Sequence, residues 1–275
     1  MKEVSKDYEI VNTPNGIFLI NERDLIGNFI KNYGFWEKHL QLIYEELIKP
    51  THICVDAGAN LGYHTIQFGK LAKKVYAFEP QPLVYNQLCT NILFNDLNDI
   101  IIPIREGLGD KVDTKQMWSI VKEEMGNDFY NWGGRGIEHE FATHNSTELR
   151  ETDRIKVTTL DSLNLEHCDF IKIDIQGYEY YAFLGAKNTL INYKPTIFLE
   201  NSLVQDNKEE VMNKKTKTSL TDLGYEFYRI YIGNNDDCIL IHPDNSSYKE
   251  LKNTIEKLST QFNIIQDESR GSSSK

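Results

Sequence analysis

The sequence predicts an α/β fold built on a parallel sheet, and two observations predict it. From His52 onward, short apolar runs alternate with amphipathic ones, the pattern of βαβ units. The first of those runs ends in an acidic residue and spaced glycines ahead of a helix start, which marks the head of such a sheet. At 275 residues, 40% hydrophobic and 26% charged, the chain is long and apolar enough to bury a core as one large domain.

The N-terminal stretch has a strand signal at Asn15–Ile20, where Asn-Gly marks a turn. Phe35, Leu40, Ile43, Tyr44 and Leu47 recur at three- and four-residue steps and predict a helix that Pro50 closes. Residues 1–50 therefore read as an extension packing on the sheet of a domain spanning 51–266. Strands are expected at Ile53–Asp56, Val75–Glu79, Ile100–Ile104, Phe170–Ile175 and Thr196–Glu200. Between the third and fourth lies a long polar stretch, about 109–154, before Ile155–Thr159 resumes a strand pattern. A stretch of that length inside an α/β domain is usually functional, so it reads as a substrate-side insert. A charged helix over Lys208–Leu223 ends at Gly224. Tyr225–Ile232 and Cys238–His242 flank a turn-rich loop and predict a closing hairpin. Leu251, Ile255, Leu258 and Phe262 form the stripe of a last helix, and the Ser-rich tail 267–275 is expected to be disordered.

Composition excludes several function classes. Thirty Lys and Arg against forty-one Asp and Glu give a net charge of −11, which repels nucleic acid phosphates. The one basic cluster, Lys208–Lys217, is interleaved with Glu209 and Glu210, so no nucleic acid partner is expected. Cys54, Cys89, Cys168 and Cys238 lie far apart without a CxxC pair, which offers neither a zinc site nor a disulfide framework. They read as small buried hydrophobes in a reducing compartment. No apolar run approaches the roughly 18 residues that span a bilayer, and the first residues lack a signal-peptide core. The expectation is a cytoplasmic protein with no membrane partner.

Chemistry is carried by the ends of the strands. Asp56, Gly58, Asn60 and Gly62 follow the first strand, and the next helix opens at Tyr63 and His64. Glycines let the backbone turn tightly and a ligand approach it, while the helix N-terminus offers free N–H groups. Such a turn also occurs for packing reasons alone. The second strand ends in Glu79-Pro80, where a carboxylate can accept hydrogen bonds from both hydroxyls of a ribose. The two motifs, about twenty residues apart, point to an adenosine-containing cofactor. A G-x-G-x-x-G turn for a pyrophosphate is absent, and Asp56 would repel one while orienting a cationic amino group, which favours S-adenosylmethionine over NAD.

Asp56-Ala-Gly-Ala-Asn-Leu-Gly-Tyr, Ala77-Phe-Glu-Pro, Thr159-Leu-Asp-Ser-Leu and Phe170-Ile-Lys-Ile-Asp-Ile-Gln-Gly-Tyr-Glu occur in that order. This segment, roughly residues 15–201, resembles the FkbM-type family of S-adenosylmethionine-dependent methyltransferases. The resemblance implies a class I methyltransferase (Rossmann-like) architecture: a seven-stranded, mostly parallel sheet with an antiparallel last strand and helices on both faces. It also implies O-methylation of a sugar, glycan or small hydroxyl-bearing metabolite, with Asp56, Gly58, Asn60, Gly62 and Glu79 lining the cofactor. One departure is Gln176, where the family commonly has Glu.

Asp174 falls near the carboxyl end of a central strand, where a carboxylate can take the proton of an attacking hydroxyl. The competing reading pairs it with Lys172 or makes it a helix cap, and Glu179 is equally a first-turn capping residue. Glu106, Gly107 and Leu108 are where an adenine would lie, against backbone and an apolar side chain. Tyr33–Glu37 can fold over the cofactor, with Trp36 the better candidate for a core staple. In the insert, Trp132, Gly133 and Arg135 combine an aromatic face, a flexible turn and a cation suited to a sugar acceptor, and His139 and His144 are alternative bases. Direct displacement needs no metal, and none is assigned. The rivals are a cofactor-binding adaptor without turnover and an NAD-dependent oxidoreductase.

Overall fold

The structure, a computed structural model, describes residues 7–120, 131–137, 149–200, 207–232 and 235–267. His139, His144 and nearly all of the Ser-rich tail lie outside the described residues. The chain opens with an antiparallel hairpin of β1 (Tyr8–Thr13) and β2 (Gly16–Asn21), turning at Pro14-Asn15. Helices α1 (Leu25–Tyr33) and α2 (Lys38–Leu47) follow. Asp24 caps α1 by accepting the Gly27 N–H at 3.1 Å, and Gly34 ends it at φ 77°. The expected strand is therefore β2, while β1 and α1 are additions. Their weak signals have a physical cause: β1 buries no residue fully, and α1 buries only Gly27 and Ile30.

The central elements are β3 (Ile53–Ala57), α3 (Tyr63–Leu71), β4 (Lys74–Phe78), α4 (Pro82–Phe94) and β5 (Ile101–Ile104). The hairpin docks on α4 through side-chain amides. Asn91 accepts from Leu19 N–H at 2.6 Å and donates to Leu61 O at 2.7 Å, while Asn95 bonds both backbone groups of Ile17.

The insert is not a plain loop. Strands β6 (Gly107–Leu108), β7 (Asp113–Ile120), β8 (Gly136–Ile137) and β9 (Leu149–Thr158) form a second sheet in the order β6-β9-β7-β8. Met117, Ile137, Ile155 and Val157 give it a small core of its own, closed by Tyr178.

Beyond it come β10 (Phe170–Ile173), α5 (Glu179–Leu184), α6 (Lys187–Tyr193), β11 (Thr196–Leu199) and α7 (Asn207–Asp222). β12 (Glu226–Ile232), β13 (Asn235–Ile241), α8 (Tyr248–Ser259) and β14 (Asn263–Gln266) complete the fold. The main sheet runs β14-β12-β13-β11-β10-β3-β4-β5, with β3, β4, β5, β10 and β11 parallel to one another. It has eight strands rather than the expected seven. β13 is the antiparallel strand that was anticipated, but β14 adds a further antiparallel edge on β12. Four residues with Ile265 exposed give too short a pattern to read as a strand.

Helices cover both faces, as expected. On one face Tyr44 meets Phe68, Phe170 and Phe198 edge-on, with ring centroids 4.8, 6.0 and 5.2 Å apart. On the other, α5, α6 and α7 cover Val55, Ile171, Ile197 and Leu240. Cys54, Cys168 and Cys238 are buried and Cys89 half-buried. Burial pushes the Cys54 and Cys168 thiols up, so both are inert hydrophobes. Among the described residues, no helix is long and apolar enough to cross a membrane.

Candidate active site

The parallel strands all point their carboxyl ends at one cleft, the usual position for a ligand in such sheets. Its base is the turn after β3. Gly58 and Gly62 hold φ 82° and 93°, and Asn60 adopts φ 52° between them. The N–H groups of Gly58 and Ala59 donate to Phe78 O at 3.1 and 2.9 Å, which binds the turn to the end of β4. There the buried Glu79 accepts from Asn60 N–H at 3.1 Å and Gln81 N–H at 2.9 Å, one on each oxygen.

Burial pushes the Glu79 carboxyl up to about 7, and the Glu179 carboxyl likewise to about 7, despite their backbone donors. Folding thus favours the protonated forms. The stability these groups contribute is complete below the ordinary value near 4.5 and is lost as pH rises through about 7, at roughly 1.4 kcal/mol per pH unit for each group. Glu79→Gln, which cannot ionise, is expected to flatten the fall in unfolding free energy between pH 5 and 7. Denaturant unfolding at three pH values checks it, and a slope equal to the parent's would assign the titration elsewhere.

A buried cation organises the deeper wall. Lys172 on β10 stands directly across from Asp56 on β3, donates to Gly58 O at 3.1 Å, and lies 3.6 Å from Asp56 and 3.7 Å from Asp174. Burial alone would push its ammonium down, but Asp56, Asp174, Glu200 and Glu37 together outweigh it and hold it above the ordinary lysine value. Asp174 follows β10 and accepts from the Gln176 amide at 2.7 Å. Glu200 follows β11 and lines the same cleft, and burial, then the Asp174 and Glu37 carboxylates, push its carboxyl well up. Glu179 instead serves the turn, accepting from Ile175 and Gly177 N–H at 3.0 and 3.2 Å.

The mouth is closed by the N-terminal segment and the insert. Glu37 holds the left-handed conformation (φ 43°, ψ 53°) at the start of α2, makes no capping bond, and sits 2.9 Å from His64 Nε2. Such a backbone costs about 1–3 kcal/mol in a non-glycine residue, and Glu37, Asn60 and Gln176 all carry it on this cleft. Buried Asp24 accepts the Trp132 N–H at 3.1 Å. Gln81 then bridges the Trp132 carbonyl, at 2.9 Å, and Arg135, at 3.0 Å.

Of the residues expected to contact a cofactor, Gly58, Asn60, Tyr63, His64, Glu79, Pro80, Gly107, Leu108 and Asp174 line the cleft. Gly133 and Arg135 line it on the insert side. Four of the expected site residues do not line the cleft. Asp56 is fully buried and turned to Lys172 and Thr65 Oγ1 (2.5 Å), so it acts behind the cleft wall. Gly62 only opens α3, and Glu106 is half-buried off the cleft. Trp132 is 8% exposed and absent from the lining, with its N–H held by Asp24 and its carbonyl by Gln81. Trp36 lines the cleft while packing edge-on against Phe29. Glu37 closes the Tyr33–Glu37 segment expected over the cofactor, whereas no signal marks Gln81 and Met117, because their place depends on a contact 54 residues away and on the second sheet. Among the described residues, no group of three or more His, Cys, Asp and Glu is arranged to hold a metal ion.

The residues present fit an adenosine cofactor carrying a cationic centre. Glu79 keeps lone pairs open to the cleft beyond its two backbone donors, and the Gly58 turn, its backbone packed onto Asp174, leaves main chain beside that carboxyl. A nucleotide-type turn, an acid closing the next strand and an antiparallel strand inserted beyond β11 together define a Rossmann-like methyltransferase domain. Residues 56–227 match the Methyltransferase FkbM domain, well over half of the chain. The chain belongs to that family, whose cofactor is S-adenosylmethionine. Methyltransferase sdnD of Sordaria araneosa is 23% identical over 229 residues, 72% of this chain and 86% of its own. The tRNA(Phe) (4-demethylwyosine(37)-C(7)) aminocarboxypropyltransferase of Methanocaldococcus jannaschii is 45% identical over 51 residues, so this chain spans only 20% of that enzyme's length. Among solved structures, methyltransferase FkbM from Methylobacillus flagellatus KT aligns over 74% of this chain and 50% of its own, at 16% identity and a TM-score of 0.47.

Proposed function

We propose that the chain is an S-adenosylmethionine-dependent O-methyltransferase acting on a hydroxyl of a sugar, glycan or related small metabolite. The observation that carries this reading is the spread of acids along one cleft, with Glu79 after β4 fixed by two amides and Asp174 and Glu200 after β10 and β11. The cofactor, when bound, supplies a sulfonium methyl group open to in-line attack. Glu79 holds a ribose, Gly107, Leu108 and Pro80 receive a flat ring, and the Gly58–Asn60 turn presents its backbone to the remainder. Asp174 takes the hydroxyl proton or orients the hydroxyl, within hydrogen-bond reach of the attacking oxygen. Gly133 and Arg135 contact the acceptor. Most of the acceleration then comes from alignment of oxygen, carbon and sulfur.

The M. jannaschii relative is named for a tRNA, but a net charge of −11 favours a small neutral acceptor here. Calorimetric titration with S-adenosylhomocysteine, with NAD in parallel, tests the reading. Micromolar binding of the first and none of the second is expected, and Glu79→Ala should weaken that binding at least about tenfold, the loss of one good hydrogen-bonded contact to a charged group. Binding of NAD alone would overturn the reading in favour of an oxidoreductase. A screen of sugar acceptors then separates an enzyme from a cofactor-binding adaptor.

A further inference from the structure

Asp56, the acid whose charge suits a cationic amino group, is occupied by Lys172 at 3.6 Å and by the Thr65 hydroxyl behind the cleft wall. Among the described residues, the carboxyls of Glu37, Glu79, Asp174 and Glu200 line the cleft itself. Glu79 takes a backbone N–H on each oxygen, and Asp174 takes the Gln176 amide beside Lys172. Burial pushes the Glu200 carboxyl well up, against the charge that an ammonium partner needs. Glu37 differs from all three. Its Oε2 accepts from His64 Nε2 at 2.9 Å, and its Oε1 takes no hydrogen bond from the described residues. We propose that Glu37 binds the α-amino group at the tail of the cofactor through that second oxygen, with His64 as the positioning residue that aims the carboxylate. This rests on the methyltransferase reading above and adds to it the residue that meets the ammonium.

The fold puts Glu37 on the side of the cleft that such a tail reaches. In the sheet order β10-β3-β4, the glycine turn after β3 lies between the ends of β4 and β10. Glu79 closes the β4 side. Glu37 belongs to the other side, because the helix it opens lies there: Tyr44 on α2 meets Phe68 on α3, Phe170 on β10 and Phe198 on β11. An adenosine whose ribose sits at Glu79 therefore sends its chain across the Gly58–Asn60 turn toward Glu37. The carboxylate serves the cleft rather than the helix. At the N-terminus of α2 it makes no capping bond, and its backbone keeps the left-handed conformation. The side chains of Glu37 and His64 are only 16% and 9% exposed, so their bond is little screened. An ionised carboxylate only accepts, so Nε2 carries the hydrogen. The ring is fixed edge-on against Tyr44 at 5.4 Å and Tyr63 at 5.8 Å, which holds the carboxylate in one place. An α-ammonium supplies the charged donor that Oε1 lacks.

The test crosses one ligand group with one residue. Calorimetric titration of the full chain compares S-adenosylhomocysteine with its deamino analogue, in which hydrogen replaces the α-amino group, the analogue being read by competition against S-adenosylhomocysteine. The parent is expected to bind S-adenosylhomocysteine at least about tenfold more tightly than the analogue, the loss of one hydrogen bond between charged groups. Glu37→Gln keeps the shape and removes the charge, and Gln176 already holds the same left-handed backbone at φ 56°. In that variant S-adenosylhomocysteine should weaken by a similar factor while the analogue changes less than about twofold, so the gap closes. His64→Phe, which keeps a ring and loses the donor, should narrow the gap too. Should Glu37→Gln fail to fold, Glu37→Asn replaces it, since Asn takes left-handed backbone at little cost. A parent that binds both ligands equally would overturn the proposal. So would a gap of unchanged size in the Glu37 variant, which is what a purely structural role predicts. Binding of neither ligand by the folded parent would overturn the methyltransferase reading and this inference with it.

Discussion

Asp174→Asn is expected to lower kcat by about 10²–10⁴-fold, the usual contribution of a positioned general base. The substitution keeps the size and planarity of the side chain and removes its ability to take a proton. At 298 K that loss corresponds to roughly 3–5 kcal/mol of transition-state stabilisation. The fold should survive it. Asp174 is about a quarter exposed, and Lys172 retains Asp56 at 3.6 Å and the Gly58 carbonyl at 3.1 Å. S-adenosylhomocysteine binding should therefore change by less than about tenfold, since one charge about a quarter exposed is removed two strands away from Glu79. The measurement is S-adenosylhomocysteine formation with an acceptor from the sugar screen, beside a binding titration of the same variant. A drop in kcat of tenfold or less would move the proton elsewhere, and Glu37, held by His64 on the same cleft, is the next residue to test.

The parts of this molecule that depend on neighbouring residues were legible in the chain. The turn from Asp56 to Gly62 and the acid at Glu79 belong to two strand ends, and both lie where an apolar strand pattern and a spaced-glycine turn put them. Elements that depend on a distant partner were not. The charge of Asp56 suggests a contact with a cationic amino group, but its register opposite Lys172 turns it into the wall. Trp132 was read as a sugar platform from its Gly-Gly neighbours, whereas Asp24, 108 residues earlier, pulls its backbone into the fold. Glu37 carries no glycine-like signal for its positive φ, since the strain is imposed by the helix that follows and the histidine it faces. The second sheet was hidden because two of its strands, β6 and β8, are only two residues long and lie in a long polar stretch.

Gly58→Ala is expected to cost about 3–5 kcal/mol of folding stability and to abolish S-adenosylhomocysteine binding, with Gly34→Ala as its measure of scale. Both glycines hold positive φ, 82° and 77°, so both substitutions impose the left-handed penalty of about 1–2 kcal/mol. Only the first also meets a wall. A Cβ on Gly58 would lie 1.8 Å from the Asp174 carbonyl oxygen and 2.9 Å from its carbon, whereas a Cβ on Gly34 meets nothing within 4 Å. Backbone cannot step aside as a flexible side chain can. The Asp174 N–H is bonded to Ala57 O at 3.0 Å, and the Gly58 carbonyl receives Lys172 at 3.1 Å. Relief would have to separate β3 from β10, adjacent parallel strands in the interior of the sheet. The difference between the two variants in denaturant unfolding thus isolates the close approach of the cofactor turn to the strand end that carries the acid. If Gly58→Ala costs no more than Gly34→Ala, that approach does not exist in solution, and Asp174 loses its place beside the reacting oxygen.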